Sequence, residues 1–123
     1  MTFQIMLAVR PEDQDALSKI IERGDYSLVV ANSVPDAKQT RNASQFHVAI
    51  IDEDFDGKGS GWKLAQQLRT QSIAIKVIVL CRNKNAARQY FSDEKYAALF
   101  DWLLPFPISG EQLLGEIERR LTL

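Results

Sequence analysis

The chain alternates short aliphatic runs with longer segments in which apolar side chains recur every three or four residues. Five runs read as strands: "FQIMLAV" (Phe3 to Val9), "SLVVA" (Ser27 to Ala31), "HVAII" (His47 to Ile51), "KVIVLC" (Lys76 to Cys81) and "DWLL" (Asp101 to Leu104). Within them "VAII" and "VIVL" are continuously apolar, as strands covered on both faces are. Pro11 sits at a natural first helical position, Ala16, Leu17, Ile20 and Ile21 form one apolar stripe, and Gly24 ends that helix. Pro35 to Arg41 predicts a short polar second helix, and Trp62, Leu64, Ala65 and Leu68 give a third its buried face. Asn85 to about Ala98 reads as a less regular fourth helix or a pair of turns. Ser109 and Gln112 form a capping box for a fifth, whose Leu113, Leu114, Ile117 and Leu121 face the core. Strict alternation of strand and helix predicts an α/β domain built on a parallel sheet.

Composition narrows the function classes. The 123 residues form one domain, 1–123, long enough to bury roughly two thirds of the surface of the unfolded chain. Fifteen basic and sixteen acidic side chains nearly cancel, so no global field recruits nucleic acid or an anionic membrane. The single cysteine, Cys81, excludes an internal disulfide framework and fits a reducing compartment. The N-terminus lacks the basic region and cleavage site of a secretory signal, and no apolar run approaches the roughly 20 residues of a membrane span. These features predict a cytoplasmic protein with no nucleic-acid or membrane partner.

Candidate chemistry centres on "DEDFDG", residues 52–57, which match the first half of a calcium loop. That loop needs a glutamate at its twelfth position and helices on both sides; the twelfth residue is Lys63 and a strand precedes Asp52. A phosphate-binding Walker loop fails too, since Lys58 is followed by Gly59 and Asp52 holds the place of the first glycine. Asp52 does follow the third strand directly, and function in open α/β sheets collects outside the carboxyl ends of the strands.

With that position established, "HVAIIDEDFDGKGSGWKLAQQLR" resembles the third strand, phospho-acceptor aspartate and following helix of the response-regulator receiver family, the CheY-like domains. The likeness extends from Phe3 to Leu121 in element order and length and includes Pro105-Phe106 after the fifth strand. It implies a flavodoxin-like (βα)5 three-layer sandwich with a parallel five-stranded sheet of order 2-1-3-4-5, and Asp52 as the position that accepts a phosphoryl group from a histidine kinase.

The resemblance also implies supporting groups, and all of them are replaced. Val9 and Arg10 stand where two acids ending the first strand help to hold Mg2+; Glu12 and Asp13 fall on the first helix, pointing away. Cys81 takes the place of a hydroxyl donor, Arg82 that of a small residue guarding access, and Leu104 that of a lysine. Stripped of these charges, phosphoryl transfer loses most of its electrostatic support. The pattern predicts a degenerate receiver, a pseudo-receiver, that is not an enzyme and needs no cofactor. Arg10 is the first candidate, and Arg82 the second, for a guanidinium paired with Asp52 in imitation of the missing metal.

Six of the eleven aromatic residues fall between Tyr90 and Phe106. In receivers the fourth helix, fifth strand and fifth helix form the face for dimers and partners. Tyr90, Phe91, Trp102 and Phe106 are therefore candidates for such a face, and a homodimer through it is one expectation. The aromatic switch place holds Asp101, with Trp102 one residue off. Cys81 and His47 read as structural, and Glu53, Asp54 and Asp56 as solvated. Gly61, nine residues after Asp52, implies a longer and looser loop than usual. The expected function is regulation by contact with a protein, either a histidine kinase or another signalling or assembly protein. The alternatives are a working Asp52 phospho-acceptor using Mg2+ in a His-Asp relay, and a metal site at Asp52, Asp54 and Asp56.

Overall fold

A computed structural model describes residues 3–24, 26–33, 46–71, 75–82 and 85–121. The strands are β1 (Phe3–Ala8), β2 (Tyr26–Val30), β3 (Val48–Asp52), β4 (Lys76–Cys81) and β5 (Trp102–Pro105). The helices are α1 (Pro11–Ile21), α2 (Ser60–Gln71), α3 (Ala87–Ser92), α4 (Glu94–Ala97) and α5 (Gly110–Leu121). All strand pairs are parallel, and the sheet order is β2-β1-β3-β4-β5, the flavodoxin-like arrangement expected. The helix expected over 35–41 and the side chain of Leu121 lie outside the described residues.

Alternation along the central strands builds two cores. Met6, Ala8, Ala49, Ile51, Val77 and Val79 point to one face, where Trp62, Leu64, Ala65 and Leu68 of α2 cover them. Ile5, Leu7, Val48, Ile50, Ile78 and Leu80 point to the other, under Leu17 and Ile21 of α1 and Leu113 and Ile117 of α5. Ala16 is exposed and contributes nothing to the α1 stripe. The irregular segment after β4 resolves into α3 and α4, broken where Asp93 accepts a hydrogen bond from Lys95 N and starts the second piece. The capping box of α5 forms reciprocally: Gln112 N donates to Ser109 Oγ at 3.0 Å and Ser109 N to Gln112 Oε1 at 3.3 Å.

The other end of the sheet is closed by side chains. His47 Nδ1 accepts from Gln4 N at 2.9 Å, joining β1 to the start of β3. Asp101 Oδ2 accepts from Val77 N and from Arg69, so the residue at the expected aromatic switch place is a structural acid.

Gly61 lies against the backbone of Asp52 and Glu53, where a Cβ would run into the Asp52 carbonyl oxygen. Gly115, in α5, has open space in the same direction. Gly61→Ala is therefore expected to cost about 1–3 kcal/mol in urea unfolding by overpacking, and Gly115→Ala to gain up to about 1 kcal/mol by helix propensity.

Candidate functional site

The carboxyl edge of the sheet gathers residues from four elements around one carboxylate. Asp52 ends β3 and is completely buried. Its Oδ1 accepts from Asp54 N at 3.0 Å. Its Oδ2 accepts twice from Arg82, from Nε at 2.9 Å and from Nη2 at 2.6 Å. The same Nη2 reaches Asp13 Oδ2 at 2.9 Å, and the guanidinium carbon lies 4.0 Å over the centre of the Phe106 ring. Burial pulls the Arg82 guanidinium down, but the hydrogen bonds and charges of Asp52, then of Asp13, more than offset it and hold it above its ordinary value.

Two expectations are corrected here. Arg82, not Arg10, pairs with Asp52; Arg10 Nη2 lies 4.0 Å from Asp54 Oδ2 at the rim. Strand alternation supplies the reason. Arg82 continues the parity of Ile78 and Leu80, and Asp52 that of Val48 and Ile50, so both face the side covered by α1 and α5. Arg10 continues the parity of Met6 and Ala8, toward the opposite side. Asp13 likewise points into the site rather than away, because it stands one turn before Leu17 and two before Ile21 on the buried stripe of α1.

Glu53 is not solvated but buried, 4% exposed. Its carboxylate accepts from Arg82 N at 3.0 Å and from the Tyr90 hydroxyl at 2.9 Å. Burial, then the hydrogen bond and charge of Glu53, push the Tyr90 phenol up to about 12. Tyr90 is half-buried and packs on Trp62 and Tyr96, whose ring centroids lie 4.7 and 4.9 Å away.

The loop 53–60 is braced by short hydrogen bonds rather than slack. Gly59 N donates to Asp54 Oδ1 at 2.8 Å, Asp56 N to Ser60 Oγ at 2.8 Å and Ser60 Oγ to Gly57 O at 2.7 Å. Gly57 and Gly59 supply the left-handed turns, with φ of 107° and 76°, and Phe55 is buried. The carboxylates of Asp52 and Asp54 are thus engaged in separate contacts and Asp56 is exposed, and among the described residues no three His, Cys, Asp or Glu side chains are grouped to hold a metal ion.

The remaining predicted positions are apolar packing. Val9 and Cys81 are buried, and Leu104 is half-buried against the α1 and α5 side. Of the proposed interaction residues, Phe91 alone is strongly exposed, at 61%. Trp102 and Phe106 are half-buried, Phe106 beneath Arg82. No helix among the described residues is long and apolar enough to cross a membrane.

Neither a protein-family model nor a curated protein sequence matches the chain. Solved structures do. A CheY-like response regulator receiver domain protein from Methanospirillum hungatei superposes with a TM-score of 0.83 over 99% of this chain and 95% of its own, at 18% identity. The non-phosphorylated HemR receiver domain from Leptospira biflexa gives 0.83 over 99% and 96%, also at 18% identity. The BeF3-activated receiver domain of DrrB, a Thermotoga maritima protein, gives 0.78 over 100% of both chains at 16% identity.

The chain has the CheY-like receiver fold. At these identities the likeness is one of fold, and the chemistry must be read from the residues. Magnesium is the ion that the receiver fold implies, and the side chains present do not fit it. Val9 offers no oxygen from its side chain, and the Arg82 guanidinium lies between Asp13 and Asp52.

Removing Arg82 leaves a buried carboxylate without its counter-charge, whereas removing the charge of Asp52 leaves Arg82 its bond to Asp13. Arg82→Ala is expected to cost about 3 kcal/mol at neutral pH and Asp52→Asn about 1 kcal/mol, read from urea midpoints at constant slope. Tyr90 gives a second expectation. The native phenol stays protonated up to about 12, while in the unfolded chain it ionises near ~10. Between those values the unfolded state binds fewer protons, so stability falls as pH rises through the window. Tyr90→Phe should remove that component of the alkaline loss.

Proposed function

We propose that this domain is an atypical receiver-like signalling module that acts by protein-protein contact, without the ordinary magnesium-dependent phosphorylation of Asp52 and without catalysis of its own. The observation that carries the reading is the Arg82 guanidinium on Asp52 Oδ2. An aspartate that accepts a phosphoryl group needs an oxygen with a lone pair aimed at phosphorus. Here Oδ2 takes two N–H donors from Arg82 and Oδ1 takes the Asp54 amide. The attack must also be supported by positive charge beside the negatively charged departing and equatorial oxygens. Leu104 and Cys81 supply none, and the Arg82 guanidinium is engaged by two carboxylates.

In this reading Arg82 supplies permanently the positive charge that a metal would bring. The output is then a surface rather than a reaction. Exposed Phe91 borders a small apolar hollow lined by Ala87, Leu103, Leu104 and Pro105, on the face formed by α3 and β5. Such a surface suits a protein partner, whether a signalling protein, an assembly protein or a second copy of this chain.

Incubation with millimolar Mg2+ and acetyl phosphate, followed by intact mass measurement, tests the proposal. The expected spectrum shows unmodified protein. A phosphoryl adduct that Asp52→Asn abolishes overturns the reading in favour of a working phospho-acceptor in a His-Asp relay.

A further inference from the structure

Glu53 is a buried carboxylate next to the site that the function above does not use. Alternation places it on the side opposite Asp52, following Ala49 and Ile51 toward α2 and the aromatic cluster. One oxygen accepts the backbone N–H of Arg82, and the other accepts the hydroxyl of Tyr90, which belongs to α3. Arg82 is the first residue beyond β4, and its N–H belongs to the peptide whose carbonyl, Cys81 O, accepts from Phe106 N at 2.9 Å. The guanidinium that reaches Asp52 therefore hangs from a peptide held on its carbonyl side by Phe106 N and on its N–H side by Glu53, and Glu53 is held by Tyr90.

We propose that Glu53 is a positioning residue: it fixes the backbone from which Arg82 reaches Asp52, and through Tyr90 it ties that ion pair to α3 and the surface around Phe91. The inference rests on the reading of Arg82 as the domain's built-in counter-charge. Geometry supports it in three ways. Both Glu53 oxygens are engaged, with donors from different elements, so a shift of either donor is felt by the other. The Tyr90 ring packs on Trp62 and Tyr96, which gives the hydroxyl little freedom to follow. Phe91, the next residue along α3, carries the exposed ring, so a turn of α3 that breaks the Tyr90 bond also moves that surface.

Coupling of this kind is reciprocal in free energy. Loosening α3 should loosen the guanidinium, and releasing the guanidinium should change the surroundings of Tyr90. A role confined to filling space would lower overall stability without selecting the Arg82 side chain.

The experiment is NMR on the isotope-labelled full chain, following solvent exchange of the Arg82 Nε–H and the shift of the Tyr90 ring carbon that bears oxygen. In the wild type the Nε–H should be protected. Glu53→Leu, which removes both acceptors, should raise its exchange by about tenfold relative to wild type, since exchange follows local opening. Tyr90→Phe, which cuts one tether, should raise it in the same direction by less and serves if Glu53→Leu does not fold. Glu53→Gln, which can accept from Arg82 through its carbonyl oxygen and pair with Tyr90 through its amide, should restore protection. Arg82→Lys should shift the Tyr90 ring carbon. If Tyr90→Phe and any folded Glu53→Leu leave the Arg82 Nε–H within about twofold of wild type, the positioning role is overturned and Glu53 is structural only. An unprotected Nε–H in the wild type instead overturns the Arg82 reading itself, and the inference with it.

Discussion

A carboxylate completely removed from water is the constraint around which the rest of this domain is arranged. Burying an ion costs several kcal/mol even after the surroundings relax, and a lone Asp52 at the end of β3 would be untenable. Its compensation is drawn from distant parts of the chain. The loop of residues 53–60 folds back so that Asp54 N reaches Oδ1, and Gly61 has no side chain because α2 must begin against the Asp52 backbone. Arg82 arrives from β4 and is itself steadied by Asp13 of α1 and by the Phe106 ring beyond β5. The ends of β3, β4 and β5 and the first turn of α1 each contribute a group whose position is explained by that one charge.

How much of this the sequence discloses depends on the length of the periodic signal. Five runs with strand character and the helical stripes of α1, α2 and α5 each average over many residues, so the strands and helices are legible, and the family resemblance implies the sheet order. The break between α3 and α4 rests on Asp93 alone and reads only as irregularity. At the site the resemblance locates Asp52 and the replaced positions, while the place of Arg10 at the mouth favours it over Arg82 as the partner of Asp52. The signal that separates them is present in the sequence: period-two alternation carried one residue past each strand end. That rule sends Asp52, Arg82 and Phe106 to one side and Arg10 and Glu53 to the other. Asp13 was legible in the same way, as an acid continuing the Leu17 and Ile21 stripe. What alternation leaves out is reach. That Glu53 meets Tyr90, 37 residues away, depends on where α3 packs, and no local pattern gives it.

The identity of the counter-charge has a thermodynamic consequence. A metal ion occupies a site according to its concentration, and a bound phosphoryl group according to the balance of donor and hydrolysis, so both leave populations of empty and filled molecules. A guanidinium on the same chain acts at the effective concentration of an intramolecular partner, and on Asp52 it competes with any diffusing cation from that advantage. An effector can shift a two-state equilibrium only by its differential affinity for the two states. At Asp52 it would have to overcome the bonds Arg82 makes to two carboxylates together with the Phe106 contact. At the surface around Phe91 it meets no such competitor among the described contacts. Control of a domain built this way is therefore easier to exert from the outer face of α3, the surface we propose for a partner, than through the acidic mouth. That direction reverses the one implied by a receiver whose aspartate is the input.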